Sequence, residues 1–458
     1  MRSGDLSAST SHYYMMPDHV RFRKLLPWPG IYALLILLTG CQDTEQQSKT
    51  TIRQAPTTVV STDSGFQLLH YGKPYFIKGA GGISHLEELA ACGGNSIRVW
   101  DDIDAGRILD EAHKLGLTVM FGLWVEREME GFDYDDQAAV ERQYKRIRKT
   151  ILRYRNHPAL LMWCVGNEWA QEADNFKVFD EVNRLARLVH ELDPGHPTST
   201  AISPDSKRAI WLVSERCTEI DILAVNSYGL TARLDEFFRE GGWKKPYLIS
   251  EYGAPAYWEV PTAPWGAPDE PNSQQKVGFV RQFYQQYIAP RPPNCLGAYL
   301  FYWGSKQEET HTWFSIFDEQ RRQTPLVGLM QELWRGTKPT NMAPVMQQLL
   351  INGKAVVHRS FPLSDTLHRA EIQVTDPERD SLTYEWVMKR RAQPGSDYVG
   401  VPRPAIQGLM TRSDLAIIQF RLPQKPGAYR LFVNVFDTHE HVATANFSFQ
   451  ITTRKSGQ

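Results

Sequence analysis

The residues best suited to chemistry lie in two short stretches, Leu161-Met-Trp-Cys-Val-Gly-Asn167-Glu168-Trp169 and Tyr247-Leu-Ile-Ser-Glu251-Tyr-Gly253. Each is an apolar run that stops abruptly at a carboxylate, as expected where a buried parallel strand opens into a polar cleft. Two carboxylates facing each other across one cleft are what glycosidic bond cleavage requires. One protonates the departing oxygen, and the other attacks or supports the sugar cation. Taken singly, either Glu reads equally well as the first turn of a helix or as a solvated turn.

The elements that must position this pair are legible from about residue 64. Segments 65–70 and 74–78, joined at Tyr71-Gly72-Lys73, read as a hairpin leading into a first strand. Segments 96–100, 117–123, 160–166, 198–202, 220–226, 247–250 and 297–303 supply strands two to eight. Between them lie helical stripes such as Val140, Tyr144, Ile147, Ile151 and Tyr154, spaced by four and three. The last helix has Thr324 as N-cap, Pro325 in its first turn and Gly336 beyond its end. Eight strands alternating with helices over about 262 residues predict an α/β chain with a (β/α)8 TIM barrel across 64–338. An open doubly wound sheet would need a dinucleotide fingerprint, and Gly79-Ala-Gly-Gly82 lacks that spacing. Active sites of such barrels lie at the C-terminal ends of the strands, where Glu168 and Glu251 both fall.

The Asn167-Glu168 and Ser250-Glu251-Tyr252-Gly253 contexts together resemble the fourth-strand acid/base and seventh-strand nucleophile motifs of clan A retaining glycoside hydrolases, family 2 most closely. The resemblance implies Glu168 as acid/base and Glu251 as nucleophile. Arg98, in Asn95-Ser-Ile-Arg-Val-Trp100, resembles the second-strand arginine that would keep the nucleophile ionised; the alternative is a structural ion pair at the rim. Asn167 matches the asparagine that bonds the sugar 2-hydroxyl, and Tyr228, in Asn226-Ser-Tyr228-Gly, the tyrosine that contacts the nucleophile. Trp303, in Phe301-Tyr-Trp303-Gly, resembles the platform under the −1 sugar, with core packing as the alternative. The acidic, aromatic loop from Trp124 to Asp136 either lines the pocket or is a solvated loop that caps the next helix. Asn156-His157-Pro158 also resembles family 2 sequences, as a structural feature.

The implied activity is retaining hydrolysis of O-glycosidic bonds, β expected, in a poly- or oligosaccharide. Transglycosylation at the same site, and a catalytically silent glycan-binding envelope lipoprotein, are the other readings. No metal site and no cofactor motif is readable, and His85 and His311 have no catalytic partner pattern. Family 2 members usually carry a sugar-binding-like sandwich and an immunoglobulin-like domain ahead of the barrel. Here about 20 tether residues and one hairpin precede it, so the resemblance covers roughly 65–337.

Among 458 residues the charges nearly balance, with 51 Lys and Arg against 52 Asp and Glu, which argues against a nucleic-acid partner. Arg21, Arg23 and Lys24 precede Ile31-Tyr-Ala-Leu-Leu-Ile-Leu-Leu38, a run too short to span a bilayer, and then Thr39-Gly40-Cys41. Leu38-Thr-Gly-Cys41 resembles a bacterial lipobox. Residues 1–40 are then a signal peptide, Cys41 is the lipidation site, and 41–63 form a flexible tether to the cell-envelope membrane, with Gln42 pointing to the outer membrane. An uncleaved anchor is the alternative. Cys92, Cys164, Cys217 and Cys295 lie singly and read as buried thiols, Cys92 and Cys217 within helices.

After Pro344 the pattern becomes alternating strands at 370–374, 382–387, 415–421, 429–435 and 443–451. These predict an all-β immunoglobulin-like sandwich over 339–458, separable from the barrel through its Pro-containing linker. Asp376-Pro-Glu-Arg-Asp380 within it resembles a segment of polycystic-kidney-disease or cadherin-like modules, as either a polar turn or a calcium site.

Overall fold

The protein is described by a computed structural model that covers residues 55–204, 207–355, 358–391 and 400–453. The expected signal segment and Cys41 lie outside the described residues. Strands β1 (Thr57–Thr62), β2 (Gly65–His70) and β3 (Lys73–Pro74) form a small antiparallel sheet. β1 pairs with β2 along its whole length, so residues expected in the flexible tether are a strand from Thr57 onward. The β-branched run Thr-Thr-Val-Val favours that state. Val59, Phe66 and Leu68 also pack with Ile77, Leu248 and Leu296 at the N-terminal end of the barrel, which they close.

The barrel strands are β4 (Ile77–Gly81), β5 (Ser96–Val99), β6 (Thr118–Leu123), β7 (Leu160–Asn167), β8 (Thr198–Ile202), β9 (Ile222–Asn226), β10 (Tyr247–Tyr252) and β11 (Cys295–Phe301). All pair in parallel, and β11 closes onto β4. Around them run α1 (Leu86–Ala91), α2 (Ala105–Lys114), α3 (Gln137–Tyr154), α4 (Lys177–Leu192), α5 (Lys207–Arg216), α6 (Leu234–Glu240), α7 (Ser273–Phe283) and α8 (Pro325–Arg335). The eight-stranded barrel expected from the sequence is therefore present. Its strands are buried on both faces, one toward the lumen (Met120, Met162, Ala224) and one toward the helices (Phe121, Trp163, Val225). This double burial explains why they read as continuous apolar runs. Several details differ from the sequence reading; the stretch 74–78 divides between β3 and β4, and β4 runs on to Gly81. β11 stops at Phe301, two residues short, and Cys92 and Cys217 lie just beyond α1 and α5 instead of inside them. All four described cysteines are buried and free.

The C-terminal part comprises β12 (Val345–Ile351), β13 (Lys354–Ala355), β14 (His358–Pro362), β15 (Leu367–Thr375), β16 (Thr383–Arg390), β17 (Ile417–Arg421), β18 (Gly427–Phe436) and β19 (Val442–Thr452). They form two four-stranded sheets, β13-β12-β15-β17 and β14-β19-β18-β16, around one apolar core. Tyr429, near the start of β18, donates its hydroxyl to the carbonyl of Lys425 at 2.7 Å, the corner bond typical of immunoglobulin-like sandwiches. Asp376 accepts the backbone N–H groups of Glu378 and Asp380 at 3.0 and 2.9 Å, which is a polar turn.

The sandwich is fastened to the barrel through buried charge. Glu270 accepts from Lys276 Nζ at 2.8 Å, from the hydroxyls of Thr310 and Thr312, and from Asn446 of β19. Arg430 of β18 donates to the carbonyl of Pro268 at 2.8 Å and lies 3.9 Å from Glu270 and 3.7 Å from Glu309. Arg391 bonds Glu309 at 2.9 Å. Burial works to raise the Glu270 carboxyl, but Lys276 and Arg430 hold it below the usual carboxylate range. Charges this deep are tolerable only in company, and removing one partner strands the rest at roughly 3–5 kcal/mol. Arg430→Leu should therefore lower the urea midpoint by a destabilisation in that range. A fragment spanning 55–338 should unfold at lower urea than the full chain, against the separability expected from the linker. A loss below about 1 kcal/mol for Arg430→Leu would mean that the cluster does not hold the two parts together.

Candidate active site

The C-terminal ends of the barrel strands converge on a cavity of about 580 Å³, whose lining includes Trp100, Trp124, Asn167, Glu168, Tyr228 and Glu251. Beneath it lies Arg98, third residue of β5 and 1% exposed. Its Nη1 donates to Glu251 Oε1 and to the Ser250 carbonyl, both at 2.8 Å, and to Asn226 Oδ1 at 3.3 Å. Its Nη2 donates to Asn167 Oδ1 at 2.6 Å. The Trp100 indole covers the guanidinium at 5.0 Å, a cation–π contact.

Glu251 sits near the end of β10 with three donors on its two oxygens. Arg98 and the Trp100 indole N–H (3.2 Å) share Oε1, and the Tyr228 hydroxyl donates to Oε2 at 3.2 Å. Burial pushes this carboxyl up to about 7; Arg98 and the Trp100 N–H pull against the rise, and the charge of Glu168 adds to it. Arg98 thus stands beside Glu251 as expected and favours its ionised form, while desolvation acts against it.

Glu168 follows β7 in the left-handed region at φ 49°, two residues after Gly166 at φ 76°. A non-glycine residue there costs on the order of 1–3 kcal/mol. The sharp turn ends the apolar run in a carboxylate at the cavity wall. A Cβ on Gly166 would lie 2.4 Å from Trp169, so the turn needs glycine. The Glu168 backbone N–H bonds the Ala201 carbonyl at 2.9 Å, and its Oε1 accepts from Asn226 Nδ2 at 2.9 Å. Asn226 also donates to Asn167 Oδ1 at 3.1 Å and accepts from Ser250 Oγ at 2.7 Å, so one amide links both carboxylate-bearing strands.

Most sequence-derived site residues come together here: Glu168, Glu251, Asn167, Tyr228 and Trp124 line the cavity, and Arg98 lies under it. Asn167 Oδ1 is occupied by Arg98 and Asn226, leaving its amide nitrogen as the group on offer to a ligand. The loop after β6 does what both readings require. Trp124 and Arg127 line the cavity, while Asp136 caps α3 by accepting from Ala138 and Ala139.

Trp303 is the exception. It lies two residues beyond the end of β11, fully buried, with its backbone N–H on the Gly81 carbonyl and its indole N–H on the His85 carbonyl, each at 2.8 Å. The ring packs against Phe317 and against Trp334 of α8, so it is core and not a platform under a sugar. Because the strand ends early, Phe301 and Tyr302 face the cavity instead, and Tyr302 stacks near Trp100 at 5.8 Å. His85 stacks on Phe317 at 3.7 Å, and burial lowers His311 to about 4 beside the sandwich. Sequence reasoning missed Trp100, Asn226, Tyr302, Trp258 and Glu308. The first two stand inside the quoted strand-end motifs, and position alone could have found them.

Because its folded value is raised, the Glu251 contribution to stability is complete below the ordinary glutamate range and is lost as pH rises through about 7. In carboxyl-labelled protein the Glu251 resonance should titrate near 7, and Trp100→Phe, which removes an N–H donor, should move it upward. Titration near 4, or no response to Trp100→Phe, would contradict this picture of the site.

The family model for the TIM barrel domain of glycosyl hydrolases family 2 matches residues 100–338, just over half of the chain. A β-galactosidase of Bacteroides ovatus is 30% identical over 113 residues, 23% of this chain and 13% of that protein. The β-glucuronidase of Chlorocebus aethiops is 22% identical over 233 residues, 43% of this chain and 33% of its own length. The chain thus spans about a third or less of these curated relatives. The solved β-D-glucuronidase of Dictyoglomus thermophilum covers 61% of this chain and 54% of its own at 20% identity, with a TM-score of 0.47. On the extent of the family match, this chain belongs to glycosyl hydrolases family 2.

Proposed function

We propose that the protein is a retaining β-glycosidase in which Glu251 is the nucleophile and Glu168 the acid/base. The observation that carries this reading is the shared network. Glu251 is held by Arg98, Trp100 and Tyr228, and Glu168 is held by an asparagine bonded to that same arginine. The similarity to a β-galactosidase and a β-glucuronidase supports it.

In the first step a Glu251 oxygen bonds the anomeric carbon as the bond to the leaving oxygen breaks, and Glu168 gives that oxygen its proton. In the second, water attacks the anomeric carbon while Glu168 takes the water's proton, and Glu251 leaves as a carboxylate. Two inversions give net retention. The cation under Glu251 and the donors on both its oxygens favour its departure as an anion. Asn167, Trp124 and Tyr228 are the proposed sugar contacts.

Glu251→Ala should nearly abolish turnover of β-aryl glycosides, and azide should then yield an α-glycosyl azide. Glu168→Ala should spare substrates with good leaving groups, and azide should then give the β product. The reverse pairing would exchange the two roles, and full activity in both variants would end the glycosidase reading. Since the nucleophile must be ionised, kcat/KM should fall as pH drops through about 7. An acid limb near 4 would argue against Glu251.

The lipobox-like segment supports a second reading, that the enzyme is acylated at Cys41 and tethered to the bacterial cell envelope. Wild-type protein should partition into detergent and Cys41→Ser should not, with catalysis unchanged. Membrane association that survives Cys41→Ser would favour an uncleaved anchor.

A further inference from the structure

The loop after β11 puts Lys306, Glu308 and Phe314 into the cavity wall. Lys306 Nζ lies 3.3 Å from Glu308 Oε2 and over the rings of Phe301 and Tyr302, 5.6 Å from each. The other lining cation, Arg127, is paired with Glu130 and lies over the Trp124 ring. Arg98, below the lining, is engaged by Glu251 and Asn167. Among the described residues, then, every cation at this cavity already faces a carboxylate or an amide oxygen. The lining carboxylates are Asp101, Glu168, Glu251, Glu259 and Glu308, and they outnumber the cations.

A sugar carboxylate seated against the β11 loop would compete with Glu308 for Lys306. That would leave two like charges side by side in a partly closed site, close to Glu168. Juxtaposed like charges cost several kcal/mol, a route to specificity by rejection. The backbone that carries Glu308 is pinned. Its N–H and carbonyl both pair with Thr310, at 3.1 and 2.7 Å. The side chain of the neighbouring Glu309 is largely covered and bonded to Arg391 of the sandwich, and Thr310 is bonded to Glu270.

Resting on the glycosidase reading, we infer that the site selects uncharged sugars and rejects uronates, with Glu308, clamped on Lys306 and anchored through the sandwich, as the specificity-determining residue. The test measures kcat/KM of the full chain on 4-nitrophenyl β-glucoside and β-galactoside against 4-nitrophenyl β-glucuronide. The better neutral substrate should exceed the glucuronide at least ~100-fold, the size expected of an unrelieved like-charge contact. Glu308→Gln, which removes the charge and frees Lys306, should shrink that ratio at least tenfold. A glucuronide turned over as well as the neutral sugars, or a ratio unmoved by Glu308→Gln, would overturn the inference. If neither class is turned over, the glycosidase reading fails separately. Saturation-transfer NMR with methyl β-glucoside and methyl β-glucuronide then decides: weaker binding of the glucuronide upholds charge rejection, and equal or tighter binding refutes it.

Discussion

Arg98 lies almost wholly out of solvent at the upper end of β5, and its two terminal nitrogens bond groups carried by three other strands. Glu251 and the Ser250 carbonyl come from β10, Asn226 from β9 and Asn167 from β7. A guanidinium in such a place is tolerable only when paired, and pairing it draws the strand ends of the barrel into one arrangement. The carboxylate that neutralises it is thereby fixed in orientation. The asparagines that complete its coordination fix the second carboxylate in turn. The chemistry of the site is in this sense the solution to an electrostatic problem set by one residue.

Burial and the Arg98 pairing act on Glu251 in opposite directions. Desolvation raises it, while Arg98 and the Trp100 N–H lower it, and the balance falls near neutrality. In the proposed double displacement both attack and departure use the ionised form, which Arg98 and the Trp100 N–H favour. A second buried cluster, around Glu270, Lys276 and Arg430, acts on the other side of the cavity. There the β11 loop is bonded to the sandwich through Glu270 and Glu309. The C-terminal part is therefore tied to the geometry of the cavity as well as appended to the barrel.

Much of this was legible in the sequence because the barrel strands, buried on both faces, leave apolar runs that end in polar residues. Glu168, Glu251, Arg98, Asn167 and Tyr228 were found by that pattern and by family resemblance. Trp303 was misplaced because a strand's last residue decides which aromatic of Phe301-Tyr-Trp303 turns inward, and the run does not mark its own end. The strand at Thr57–Thr62 was hidden by its polar composition, and Val345–Ile351 and His358–Pro362 by weak alternation, the latter at a sheet edge. The buried ion cluster joining barrel and sandwich was not readable at all, since Glu270, Glu309, Arg391 and Arg430 lie far apart in sequence and look like ordinary surface charges.

The central claim is that Glu251 becomes covalently attached to the sugar. Incubation with 2-deoxy-2-fluoro β-glycosides carrying a good leaving group, in gluco and galacto configurations, slows breakdown of such an adduct and allows its mass to be mapped by peptide. The account predicts one added fluoroglycosyl unit on the peptide that contains Glu251. An adduct on Glu168, or rapid turnover to a product of inverted configuration with no adduct, would contradict it.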